Sequence, residues 1–328
     1  MKSVYKWVAS IFGGVSALVG LGIIYQTLAE NEDRKRLSPA GQLFDIGGSR
    51  LHAICQGQGT PTVILEAGLS STHLDWSRVI PEIAKNTRVF AYDRGGYGWS
   101  DPCPKPRTGL RMVRELHTLL QKAGISSPYI LVGHSYGGLL VRLYASQYPE
   151  EVAGIILVDG SPEDQRKHFP KPKSMRVRIS QEVEWQIYRL RPILARIGII
   201  RLRKLPNGYI KALPEEMKLP ATALGLQSRA YDWLWTEEPA IEATCEEIRN
   251  SVIPDHIRAS VLAAGKSIPI DEFQNIWLRL QHELSQKIPN CTYQIVEGSG
   301  HFIQLEQPKK VVEAVLQMAE FLKKEFVI

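Results

Sequence analysis

Only four cysteines occur in the 328 residues, Cys55, Cys103, Cys245 and Cys291, and no two form a Cys-x-x-Cys pair. That scarcity argues against a zinc site and leaves disulfides conceivable only for an exported domain. Basic runs interleaved with aromatics are also missing, so the formal charge of +6 does not point to nucleic acid. An anionic membrane surface would suit that mild charge as well. Internal repeats and low-complexity tracts are absent too. The most telling absence is of charge itself, from Trp7 to Ala29. As a helix this stretch rises about 34 Å, enough to cross a ~30 Å hydrocarbon core. Lys2 and Lys6 precede it and a dense charged cluster follows it. Residues 1–37 therefore read as a single-pass anchor and linker, with the rest of the chain on the extracytoplasmic side. Thr27-Leu28-Ala29 also fits a signal cleavage site, which would leave the remainder secreted.

After residue 38 the pattern changes. Gln42 to Ile46 and Arg50 to Cys55 flank Gly47-Gly48 and predict a β-hairpin. Apolar strands are expected at 62–65, 88–92, 129–132 and 155–158, separated by helices near 76–85, 108–123 and 139–148. Strands alternating with helices of this length predict a mostly parallel sheet covered on both faces. The rhythm breaks from 161 to 258, where helical segments interrupted by prolines carry many Lys and Arg. Within it, 187–205 mixes Ile and Leu with Arg189, Arg191, Arg196, Arg201, Arg203 and Lys204. Such a segment fits either a solvated helix of a cap or one lying in a membrane interface. The α/β pattern resumes at 259–328. The organisation read here is core at 38–160, helical cap at 161–258, and core again at 259–328.

The chemistry centres on Gly133-His134-Ser135-Tyr136-Gly137. A buried strand enters this Gly-x-Ser-x-Gly and a helix leaves it, so Ser135 falls on a sharp turn above the sheet end. The two glycines let that turn close, and the helix N-terminus favours developing negative charge. A serine needs a base to become a nucleophile. Of eight histidines, His301 stands in a Gly-rich loop between the last strand and the last helix, from where it can reach the same sheet edge. His134, His52 and His117 read as structural, and His73 is placed to line the pocket. A carboxylate must complete the set by orienting the imidazole.

These motifs, with Tyr92-Asp93-Arg94-Gly95-Gly96-Tyr97-Gly98-Trp99-Ser100-Asp101, make the chain from about Leu43 to Phe326 resemble the α/β-hydrolase fold family. The resemblance implies the order nucleophile, acid, histidine. Where the family acid commonly stands, this chain reads Gly265-Lys266-Ser267-Ile268-Pro269, with no carboxylate before Asp271. Some members carry the acid one strand earlier, which here is Asp159. Asp159 is the expected acid and Asp271 the alternative. Tyr136 is expected to supply one oxyanion N–H and, by resemblance, Leu69 the other, with Ala67-Gly68 replacing the family's His-Gly. Asp93 and Arg94 read as scaffold, and Gly95-Gly96-Tyr97-Gly98 lacks the context of a nucleotide motif. The expected activity is a serine hydrolase of carboxylesterase or lipase type, acting on a small or lipophilic ester. No cofactor, metal or nucleic acid is expected, and the bilayer is a partner through the N-terminal helix. Dehalogenase and epoxide hydrolase chemistry is disfavoured, because those relatives have an aspartate where Ser135 stands. A binding protein holding a hydrophobic ligand in the same pocket is the alternative, as is cleavage of an amide, thioester or C–C bond.

Overall fold

The structure is a computed structural model describing residues 2–170, 174–205, 210–268 and 270–326. Pro269, in the loop where the family acid is commonly found, lies outside the described residues. Strands β3 (Thr62–Glu66), β5 (Tyr129–His134) and β6 (Val152–Val158) are buried at every residue. Near-continuous apolar runs of this kind belong at the centre of a sheet covered on both faces. The hairpin of β1 (Gln42–Asp45) and β2 (Arg50–Gln56) forms at one edge. Its turn needs φ of +93° and +102° at Gly47 and Gly48, which glycine adopts without a Cβ clash. With β4 (Val89–Tyr92), β7 (Arg258–Ala264) and β8 (Cys291–Val296), the order is β1-β2-β4-β3-β5-β6-β7-β8. The β1–β2 and β2–β4 pairs are antiparallel and all others parallel.

Helices close both faces. Met112, Leu116, Leu139, Leu143 and Ile241 pack on one side, and Trp76, Ile83, Val311, Val315 and Leu322 on the other. Since β3 and β5 to β8 run parallel, their carboxyl ends gather at one edge, the usual place for a site in such sheets. The expected helix at 76–85 is broken into a 3₁₀ turn, His73–Trp76, and a short helix, Ile80–Ala84. Pro81 explains the break: it tolerates only the first turn of a helix and disfavours helical geometry before it.

Between β6 and β7 the described residues form helices and no strand, including Met175–Tyr188, Arg191–Arg196, Ile199–Leu202 and Glu215–Gly225. The N-terminal helix runs unbroken from Lys2–Arg36 and is long and apolar enough to cross a membrane. Its last turns dock on this insertion. Gln26, Glu30 and Asp33 share one face, and each is at least nine-tenths buried. The Gln26 amide donates to the Leu226 carbonyl (2.8 Å), the Ser228 N–H donates to Glu30 (2.6 Å), and Arg201 pairs with Asp33 (2.8 Å).

Candidate active site

Strand β5 delivers Ser135 to the sheet edge with φ of +52°, a left-handed conformation uncommon for a residue with a side chain. Small neighbours make it feasible. A Cβ on Gly133 would lie 2.5 Å from the Gly137 carbonyl oxygen, and one on Gly137 would lie 2.5 Å from that of Glu66. Backbone bonds pin the turn: the Ser135 N–H donates to Val158 (3.2 Å), and its carbonyl accepts from Gly138 and Ser161, each at 2.9 Å.

Asp159 follows β6 directly and is fully buried. Four donors converge on it. Oδ1 accepts from the Ala264 N–H (2.9 Å) and the Trp277 indole (2.8 Å); Oδ2 accepts from the Ser267 hydroxyl (2.5 Å) and His301 Nδ1 (2.6 Å). Four donors are what an acceptor-only carboxylate satisfies. With Nδ1–H of His301 so engaged, Nε2 is the ring's basic nitrogen. The structure thus brings Asp159 onto His301 and not Asp271, which is exposed at the start of the helix Asp271–Lys287. Among the described residues Asp271 makes no hydrogen bond or ion pair with His301. Ser267 and Trp277 were not legible as site residues. Ser267 stands in the loop where the common family acid was sought, and its hydroxyl lies 3.3 Å from His301 Nδ1.

His134 is buried behind this pair. Its Nε2 donates to the His301 carbonyl at 2.9 Å. Burial, helped by the neighbouring His301, holds His134 well below the ordinary histidine range, so it is neutral with Nδ1 bare. Gly68 closes the other side. A Cβ there would lie 3.0 Å from His134 Nδ1 and 3.3 Å from the Ser135 Cβ, so only glycine lets the β3 end approach the serine so closely. Among the described residues, no acceptor takes the N–H of Leu69 or Tyr136.

Arg94 carries the loop after β3. Its guanidinium donates to the Ala67 and Gly68 carbonyls (2.6 and 2.7 Å), to Glu66 (2.6 Å), and to Glu237 from the insertion (3.4 Å). Tyr92 donates to Glu66, and Tyr97 to Glu237. Burial alone would weaken the guanidinium's hold on its proton, but Glu237 and Glu66 more than reverse this. Burial pushes the Glu66 carboxyl up, against the pull of Arg94. Removing one member of such a buried pair strands the rest, at a cost of about 3–5 kcal/mol. Arg94→Met is therefore expected to lower the thermal unfolding midpoint of the purified protein. Arg94→Lys is expected to restore it only in part, because an ammonium does not reproduce the planar fork. A variant as stable as the parent would refute this role.

Asp93 lies buried between His52 Nδ1 and His73 Nδ1, each at 2.9 Å. Burial opposes ionisation there, yet the two histidines hold its carboxyl far below the ordinary range. For His52, burial pulls the pKa down, but the bond and charge of Asp93 leave it raised. The three side chains cluster like metal ligands. However, both Nδ1 atoms face Asp93 and His52 Nε2 donates to the Ala40 carbonyl (2.6 Å), so internal hydrogen bonds already fill the cluster. His73 lines a mostly apolar cavity of about 250 Å³ with Leu74, Trp99, Met217 and Pro220. Leu74, Trp99 and Met217 also pack with Phe302 and Leu305, beside His301.

A sequence profile for the alpha/beta hydrolase fold matches residues 61–193. An AB hydrolase superfamily protein of Gibberella zeae is 33% identical over 283 residues, covering 80% of this chain and 87% of that protein. A probable transporter, efuK, of Hormonema carpetanum is 38% identical over 309 residues, covering 85% of this chain and 42% of that protein. The chain spans about half the length of the first curated relatives it matches. A solved thermophilic esterase of Thermogutta terrifontis superposes with a TM-score of 0.57 at 19% identity, covering 87% of this chain and 99% of that one. That likeness is one of fold. Epoxide hydrolases also occur among the similar proteins.

Proposed function

The chain belongs to the α/β-hydrolase family, and from that premise we propose that it is a membrane-anchored serine hydrolase cleaving esters. Ser135 Oγ attacks the ester carbonyl while His301 Nε2 takes its proton. Asp159 holds the ring and stabilises the imidazolium, and the N–H groups of Leu69 and Tyr136 receive the oxyanion. The imidazolium then protonates the departing alcohol, leaving an acyl group on Ser135. Water, deprotonated by the same nitrogen, releases the acid and restores the serine. The observation that carries this reading is the 2.6 Å bond from His301 Nδ1 to the buried Asp159, beside a serine at positive φ.

An ester is favoured over an epoxide on chemical grounds. Serine opening an epoxide would leave an ether that the same water attack does not cleave, whereas an acyl-serine hydrolyses readily. An insertion that we read as a cap, next to a membrane anchor, supports a lipophilic acyl or alkyl group. A retained anchor is favoured over a cleaved signal because Gly22 and Gln26 take part in the docking contact, and cleavage after Ala29 would remove both.

The test uses the full-length protein in membranes, treated with a fluorophosphonate probe, mapped by peptide mass spectrometry, and assayed on p-nitrophenyl esters from acetate to dodecanoate. The expected result is an adduct on the Ser135 peptide and turnover favouring longer chains. A folded protein with neither adduct nor turnover would be read as a binding protein instead.

A further inference from the structure

The chain's charge excess is concentrated in one segment. Residues 174–205 carry eight Lys and Arg against two acidic residues, a surplus of six that matches the +6 of the whole sequence, 40 minus 34. Everything outside the segment balances. The same residues expose an apolar stripe. Met175, Ile179, Val183 and Ile187 recur every fourth position along the helix Met175–Tyr188, and each is more than half exposed. Leu190, Ile193, Leu202 and Leu205 extend the exposure past the helix end. Arg176, Arg178, Arg196, Arg203 and Lys204 are exposed among them. A continuous apolar stripe of this kind marks a surface that is covered in the working protein.

The N-terminal helix indicates by what. A Cβ on Gly22 would lie 2.3 Å from the Ile197 carbonyl oxygen, so the helix backbone touches the insertion there. Before that point, Val4, Ile11, Phe12, Leu18 and Leu21 are all exposed. From Val4 to Leu21 a helix rises about 26 Å, close to the ~30 Å of a hydrocarbon core. The helix meets residues 197–198 at Gly22, within its charge-free stretch from Trp7 to Ala29, and Ile23, Ile24 and Leu28 remain exposed past that point. A bilayer crossed by this helix therefore lies beside the segment that carries the stripe and its arginines.

We propose that residues 174–205 lie on the surface of a bilayer containing anionic lipids, apolar stripe towards the acyl chains and basic side chains among the headgroups. This second membrane contact stands apart from the Ser135 chemistry. A solvated helix would have no use for the stripe, and a second copy of this chain would bring six like charges against six.

The experiment places the full-length protein, one copy per disc, in nanodiscs of phosphatidylcholine with 30% phosphatidylglycerol and a diazirine-bearing lipid. After photolysis, labelled peptides are mapped, with 4–21 as the internal reference. Label is expected on peptides within 174–205 as well, falling by about fivefold or more in pure phosphatidylcholine. It is expected to disappear from this segment in the Ile179→Glu/Ile187→Glu variant while the 4–21 label persists. Label on 4–21 alone in the parent would overturn the proposal. So would a label on 174–205 that persists unchanged in the Ile179→Glu/Ile187→Glu variant.

Discussion

Replacing Ser135 by alanine is expected to lower ester turnover on the order of 10⁶-fold and to leave the thermal unfolding midpoint nearly unchanged. The nucleophile and its base act as a unit, so losing the hydroxyl removes the covalent route entirely, and only binding and the oxyanion donors continue to act. Little structural cost is expected. Among the described residues the hydroxyl makes no hydrogen bond, and the turn is held by the Ser135 backbone bonds to Val158, Gly138 and Ser161. Alanine has a Cβ like serine, so the positive φ at this position costs each about the same. The measurement is kcat on the best ester of the series, with fluorophosphonate labelling and unfolding followed on the same preparation. Turnover within tenfold of the parent would remove Ser135 from the chemistry.

The second large effect is expected at the acid. Asp159→Asn should lower kcat on the order of 10⁴-fold, whereas Asp271→Asn should leave it nearly unchanged, because Asp271 is exposed and His301 Nδ1 is held by Asp159. The asparagine carbonyl can still accept from Ala264 and Trp277 at the Oδ1 position. Its amide then occupies the Oδ2 position, facing the Ser267 hydroxyl and His301 Nδ1. An NH₂ there donates to Nδ1 and drives the imidazole proton onto Nε2, the nitrogen that must be bare to receive the serine proton. The wrong tautomer, not a lost fold, is the cause of the deficit. If Asp271→Asn were the slower enzyme, the acid would have been misassigned.

What could be read in advance divides by distance along the chain. The elbow is local: a buried strand, two glycines that a Cβ would disrupt, and a helix, all within a few residues of Ser135. The alternation of strands and helices is equally local, and the sheet follows it. The proposed acid was less legible. Asp159 looks like any turn residue after a strand, and only the resemblance to family members that carry the acid one strand earlier raised it above Asp271. The donors that fix it were not legible, because Trp277 lies 118 positions away and Ser267 lies 108 away. Glu237, 143 residues from Arg94, left no periodic signal either. The docking of Gln26 on Leu226 bridges 200 positions and ends on a backbone carbonyl, which no side-chain pattern encodes. At 76–85 the apolar residues promised one helix, and Pro81 overrode them.

The link from Glu237 through Arg94 to the carbonyls of Ala67 and Gly68 bears on how this protein can be re-engineered. Grafting the insertion of a relative onto this core would look like a simple exchange of specificity. It would also change one of the two carboxylates that hold Arg94, and with it the footing of the loop that ends at Leu69. A chimera lacking a carboxylate at position 237 should misalign that loop whatever insertion it carries. Re-engineered specificity here must therefore carry one acidic residue across the seam.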